Sequence, residues 1–167
     1  FDVAALLAHQ PIPKGKRVAI LTNAGGPGIL AADACEADGL ELPVLSEATR
    51  AELRRFLPPA ASVTNPVDML ASAPAEHFAR ALAIILKDEN VDSVLTIFIP
   101  PLVTEPDAVA AAIAGVAPEA NGKPILGIFM RAEGAPAALA SIPSYAFPES
   151  AARALARVTH YGAWRAQ

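Results

Sequence analysis

Asn23, Ala24, Gly25, Gly26, Pro27 and Gly28 interrupt an apolar run and lead straight into a second run rich in small side chains, the pattern by which a strand hands over to a helix through a ligand-facing loop. The three glycines let the backbone turn sharply and approach another molecule without Cβ clashes. Pro27 suits the first turn of a helix, where its missing N–H costs nothing, and the free amides beside it point outward. The chemistry open to such a loop is the cradling of a carboxylate or phosphoryl oxygen by backbone N–H groups. A second loop of this kind is expected at Leu102, Val103 and Thr104, after the apolar run 93–99 and Pro100-Pro101. Asn65-Pro66-Val67-Asp68 is a third polar segment, readable as a turn with a capping carboxylate or as support for the glycine loop through Asn65 and Asp68.

These loops need a scaffold. Residues 17–22 are too few for an ordinary helix and too apolar for an exposed strand, so they read as a strand buried in a parallel sheet. The glycine loop opens a helix to about residue 38, closed by Gly39, and a second strand is expected at 40–45. Ser46 caps a helix that Pro58-Pro59 stops, and a further helix covers 74–87. Strands at 93–99, 123–130 and 144–147 follow. A helix opens at Thr104-Glu105-Pro106, another lies near 136–140, and the last begins at Pro148-Glu149.

Five strands alternating with helices predict an α/β fold. It is a three-layer, doubly wound, parallel five-stranded sheet of flavodoxin-like order 2-1-3-4-5. Residues 1–16 read as a linker and the tail of a preceding domain, and 17–167 as the flavodoxin-like domain. In this order strands one and three are neighbours whose crossovers go to opposite faces, so a crevice opens between their carboxyl ends. Residues 23–28 and 102–104 then meet there, each ahead of a helix N-terminus that favours an anion.

Composition narrows the partners. The 167 residues carry 13 Lys and Arg against 17 Asp and Glu, a net charge of −4, with no basic run suited to a nucleic-acid backbone. No apolar segment reaches the ~18 residues of a membrane span. The single cysteine, Cys35, excludes a disulfide within one chain and fits a cytoplasmic setting. His9, His77 and His160 lie in segments away from the crevice, without paired-ligand spacing, and Trp164 and Tyr161 read as packing against a neighbouring domain. Arg131 and Glu133 are the only charged residues expected near the edge after the fourth strand. No nucleophile, acid–base pair or metal set can be placed at the crevice. The expectation is therefore a domain that holds a small anion and has no catalytic residue, metal or cofactor of its own.

The ordered segments RVAILTNAGGPGILAADACEADGLEL, FLPPAASVTNPVDML and DENVDSVLTIFIPP resemble the acyl-CoA synthetase (NDP-forming) family, over about residues 10–164. The matching part is its ligase-CoA domain, similar to the carboxy-terminal domain of the succinyl-CoA synthetase β subunit. The resemblance implies formation of acyl-CoA from a small carboxylic acid, CoA and ATP with Mg2+, through an acyl phosphate and a phosphohistidine. It also implies that the phosphohistidine-bearing, CoA-binding and ATP-grasp parts are domains of the same or a partner chain, and that this chain is inactive alone. By the same resemblance Asn23 and the Gly25 and Gly26 amides contact the acid, and the segment ending at Thr104 faces phosphate. Pro100-Pro101-Leu102 stands where the succinyl-CoA synthetase pattern has glycines, which removes an amide donor. Two other readings stay open: a ligand-sensing synthetase-like region of a protein N-acetyltransferase fusion, and a stand-alone flavodoxin-like module.

Overall fold

The structure, a computed structural model, describes residues 1–101, 105–130, 136–139 and 141–166. In chain order the elements are α1 (Asp2–His9), β1 (Val18–Thr22), α2 (Gly25–Ala37), α3 (Glu47–Arg54), β2 (Val67–Asp68), α4 (Ala75–Leu86), β3 (Ser93–Phe98), α5 (Pro106–Val116), β4 (Ile125–Phe129), β5 (Ser144–Tyr145) and α6 (Pro148–Arg165). Every strand pair is parallel and the order is β2-β1-β3-β4-β5, the arrangement expected from the sequence.

Alternation along the central strands divides the core. Ala19, Leu21, Val94, Phe98 and Phe129 face α4 and α5, where Phe78, Leu82, Ile85 and Ile113 are fully buried. Val18, Ile20, Leu95, Ile97 and Ile128 face α1, α2 and α6. On that second face α6 buries Ala151, Ala152, Ala154 and Ala156, small side chains that let it lie close to the sheet. Leu6 of α1 is fully buried there too, and Tyr145 donates to the Asp2 carbonyl at 3.0 Å.

The helix ends follow local chemistry. Gly39 adopts φ +82°, and the Gly39 and Leu40 amides return to the carbonyls of Glu36 and Cys35, a Schellman closure of α2. Ser46 accepts from the Thr49 amide at 3.2 Å and caps α3. The turn predicted as a helix near 136–140 is only a 3₁₀ segment, Ala137–Leu139.

The edge beside β1 departs from expectation. Residues 40–45 form no strand: they contribute one bridge, Arg17 to Glu41, and Pro43 has no N–H to extend it. The outer edge of β1 is instead met by three successive pieces. At its start Val18 donates to the Glu41 carbonyl at 2.8 Å. In the middle the Asn65 carboxamide takes the place of a peptide group, its Oδ1 accepting from the Ile20 amide at 2.9 Å and its Nδ2 donating to the Val18 carbonyl at 2.8 Å. At its end Leu21 and Thr22 pair with Val67 and Asp68, the true second strand.

At the opposite, amino edge of the sheet Arg17 forms a two-pronged ion pair with Asp92, at 2.8 and 2.9 Å. The Arg17 guanidinium holds the Asp92 carboxyl below the ordinary carboxylate range. A carboxyl depressed in the folded state contributes stability above its unfolded pKa of about 3.9 and loses it as pH falls through the folded value. Acid unfolding of the wild type should therefore steepen below about pH 4. Asp92→Asn should be less stable at neutral pH and show a flatter acid limb in denaturant titrations. Parallel curves for the two proteins would show that the pair is not coupled to folding.

Candidate functional site

The glycine loop is built on the end of β1. The Thr22 hydroxyl accepts from the Ala24 amide and donates to the Ala24 carbonyl, both at 3.0 Å, and this closes the turn before α2. Ala24 then stands in extended geometry as the N-cap, with no side chain to satisfy the helix amides and no acidic residue in the first turn. Gly28 reaches back to the Ala24 carbonyl at 3.2 Å and Pro27 has no N–H. The amides of Gly25 and Gly26 are thus the first-turn donors without an intrahelical acceptor. Both residues are exposed.

The three glycines differ. A Cβ on Gly28 would lie 3.1 Å from Thr22 Cγ2 and 3.6 Å from Pro66, so this glycine serves close packing of α2 on the neighbouring segment. A Cβ on Gly25 would lie 3.1 Å from Asp68 Oδ2, which places that carboxylate beside the helix start. A Cβ on Gly26 would meet nothing within 4 Å. Open space at the cradle therefore lies over Gly26.

Asn23 points inward and is almost fully buried. Its Nδ2 donates to the Ile99 carbonyl and its Oδ1 accepts from the Ile99 amide, each at 2.9 Å. One side chain thereby ties the end of β1 to the end of β3 and sets the width of the crevice between them. The described part of the segment after β3 reaches Pro101. Leu102, Val103 and Thr104 lie outside the described residues, as do Arg131 and Glu133.

The loop after β2 lies in the segment 65–72, which by resemblance is another loop of this edge, but its backbone conformation was not foreseen from the sequence. Asp68 Oδ1 accepts from the Leu70 amide at 2.9 Å, and Leu70 is held at φ +71°, a left-handed conformation uncommon for leucine. Ala71 and Ser72 are exposed at the same edge, ahead of the N-terminus of α4. A leucine gives no signal for a left-handed backbone, so only the Asp68 side chain two residues earlier hinted at it. Asp68 thus joins two loops: one oxygen shapes 69–73 while the other sits by Gly25. Asn65 belongs to the interior of the sheet edge. His77 packs edge-on against Phe56, with ring centroids 5.3 Å apart. Cys35 is fully buried, and burial pushes its thiol up to about 12, so it is not a nucleophile at neutral pH. Concavities of about 370 and 520 Å³ lie at the amino edge, away from the glycine loop. Among the described residues no three metal-ligating side chains cluster, and no helix is long and apolar enough to cross a membrane.

The arrangement can bind an oxyanion between helix amides and hold it against the end of a neighbouring strand. Known proteins share this framework. The chain is 46% identical over 153 residues to the alpha subunit of acetate–CoA ligase [ADP-forming] II from Pyrococcus furiosus, covering 87% of this chain and 34% of that one. A crystal structure of a Pyrococcus horikoshii OT3 protein superposes with a TM-score of 0.89 at 38% identity, over 98% of this chain and 40% of that one. A dinucleotide forming acetyl-coenzyme A synthetase 1 from Ca. Korarchaeum cryptofilum, solved with phosphate and ADP, gives 0.86 at 30% identity, over 99% and 37%. The chain thus spans between about a third and two fifths of each. The family model for the Ligase-CoA domain matches residues 18–147, which take in β1, the glycine loop, the three-piece edge and the sheet through β5; the chain belongs to the Ligase-CoA domain family.

Proposed function

We propose that this chain is the domain of an ADP-forming acyl-CoA synthetase that holds the reacting carboxyl or phosphoryl group while other parts of the enzyme supply the chemistry. The observation that carries the reading is the uncapped start of α2, where the Gly25 and Gly26 amides have no acceptor among the described residues, with open space over Gly26 and the loop anchored to β3 through Asn23. A helix terminus of this kind favours an anion by roughly 0.3–1 kcal/mol, and by up to about 2 when partly buried. The acetate–CoA ligase relative and the synthetase solved with phosphate and ADP support the assignment of that anion to this reaction class.

In the overall reaction a carboxylate, CoA and ATP give acyl-CoA, ADP and phosphate. A histidine nitrogen takes the terminal phosphoryl group of ATP as the P–O bond to ADP breaks; a carboxylate oxygen then attacks that phosphorus, the N–P bond breaks, and an acyl phosphate forms. The CoA sulfur then attacks the carbonyl carbon, loses its proton, and phosphate leaves as the C–O bond breaks. The first step spreads negative charge over the phosphoryl oxygens, and the second places it on the carbonyl oxygen and then on the departing phosphate; the paired amides at the start of α2 stabilise such oxygens by orientation and electrostatics. The phosphohistidine, the CoA site and the ATP-grasp machinery belong to other domains of the same or a partner chain, with Mg2+ accompanying ATP, in the cytoplasm. Asn23, Ala24, Pro27 and Gly28 shape the loop, and the resemblance to the family assigns the phosphate contact to residues 102–104.

Gly26→Ala in the full-length synthetase separates binding from folding. An alanine there fills open space within a helix, so stability should hold or rise by roughly 0.5–1 kcal/mol. The added methyl group should nevertheless lower kcat/KM for the acid substantially by blocking approach to the backbone. Unchanged kinetics in a stably folded variant would remove the cradle from the mechanism.

A further inference from the structure

The carboxylate of Asp68 stands beside the anion cradle, where charge alone would keep it away. Its backbone is fixed at the end of β2: the amide donates to Ser62 at 3.1 Å, the carbonyl accepts from Ser62 at 2.9 Å, and the residue pairs with Thr22 across the strand. Oδ1 is committed to the Leu70 amide at 2.9 Å. Oδ2 accepts no hydrogen bond among the described residues, and the ion pairs there join Arg17 to Asp92 and Glu47 to Arg50 and Arg54, leaving Asp68 without a cation. Oδ2 lies 3.1 Å from where a Gly25 Cβ would be, so the glycine at this position is what lets the oxygen close on the start of α2. Two donors without acceptors, the Gly25 and Gly26 amides, therefore stand beside one acceptor without a donor.

We infer that Asp68 Oδ2 is the acceptor of the cradle and makes it select an oxyanion that still carries a proton, hydrogen phosphate, over one of the same shape that carries none, sulfate. The inference rests on the reading of the α2 start as the cradle and gives that site its ligand chemistry. Backbone amides only donate, and an ionised carboxylate only accepts. A ligand that satisfies all three groups must offer acceptor oxygens to the amides and an O–H to Asp68. Inorganic phosphate at neutral pH has both. Sulfate, fully deprotonated there, meets the amides equally well but sets an anionic oxygen against Oδ2 with no proton between them, and the two charges repel. A site built to hydrogen-bond a ligand O–H rejects the analogue that lacks it, because the site's own polar group is then left unpaired. Asp68 is thus a specificity-determining residue, held in place by β2 and by Leu70.

The reverse reaction of the full-length synthetase, in which acyl-CoA, ADP and phosphate give acid, CoA and ATP, measures the selection. In the parent the inhibition constant of sulfate competing against phosphate should exceed the KM for phosphate by at least about tenfold. Asp68→Asn keeps an oxygen for the Leu70 amide and adds a group that can donate, so the ratio of the two constants should fall by at least about tenfold. Calorimetric titration of both proteins with phosphate and with sulfate reads the same ratio without turnover, and circular dichroism checks the fold. Sulfate that competes as well as phosphate in the parent, a result that needs no variant, would overturn the inference, as would an unchanged ratio in a folded asparagine variant. Gly26→Ala separates this failure from that of the cradle. If it weakens phosphate and sulfate together while Asp68→Asn leaves the ratio at its parent value, the cradle stands and Asp68 takes no part in selection. If it leaves both constants unchanged, the cradle fails and the selection fails with it.

Discussion

Asn65→Ala should lower the unfolding free energy by roughly 2–6 kcal/mol, because it leaves two buried main-chain groups of β1 without partners, at about 1–3 kcal/mol each. The groups are the Ile20 amide and the Val18 carbonyl, which the Asn65 carboxamide satisfies from both of its ends. A third bond, from Nδ2 to the Pro43 carbonyl at 3.3 Å, ties in the segment that would otherwise be a strand. Asn65→Asp discriminates between lost volume and lost hydrogen bonding. The carboxylate can still accept from Ile20, but its second oxygen then faces the Val18 carbonyl with no proton between them. It should be destabilised as severely as the alanine variant despite nearly equal size. Denaturant unfolding of the three proteins measures this, and an aspartate variant as stable as the wild type would show that the carboxamide donor contributes nothing.

Asn23→Ala should act on function more than on stability. Its two bonds go to the half-buried residue Ile99, so water replaces part of what is lost and the cost in stability is about 1–3 kcal/mol. The crevice, however, loses the clamp that fixes the glycine loop against the end of β3. A displacement of about 1 Å at a positioned reactant costs on the order of 100-fold. In the full-length synthetase kcat/KM for the acid should fall by about that factor while the KM for ATP stays at its parent value. Asn23→Asp keeps the acceptor for the Ile99 amide and loses the donor to its carbonyl, so it should fall between the two. Equal rates in parent and alanine variant, with the fold intact, would assign Asn23 a packing role alone.

The contrast between these two asparagines shows what the sequence made legible. Strands β1, β3 and β4 are continuous apolar runs, and the breaks after them carry Gly or Pro, so their places and the strand order could be read directly. Gly39 announced the end of α2 because only a left-handed residue permits that closure. Residues 40–45 misled because apolar character says nothing about hydrogen-bond partners: Pro43 interrupts the run, and the partner that β1 takes is a side chain from 20 residues later. No periodicity reveals a carboxamide standing in for a peptide group. The same holds at the crevice. The glycines were visible as a loop, whereas the division of labour among them depends on what each would touch: Asp68 for Gly25, Thr22 and Pro66 for Gly28, and open space for Gly26. Leu70 was invisible as a strained residue because its conformation is imposed by Asp68.

The patchwork border of β1 has a consequence for behaviour in crowded solution. A long, regular outermost strand offers a row of unsatisfied amides and carbonyls on which a foreign polypeptide can lay itself down, and that is how many β-rich proteins begin to aggregate. Here a single bridge, a carboxamide and a two-residue strand fill that row in turn. No uninterrupted template is left at this border for templated, fibril-like growth.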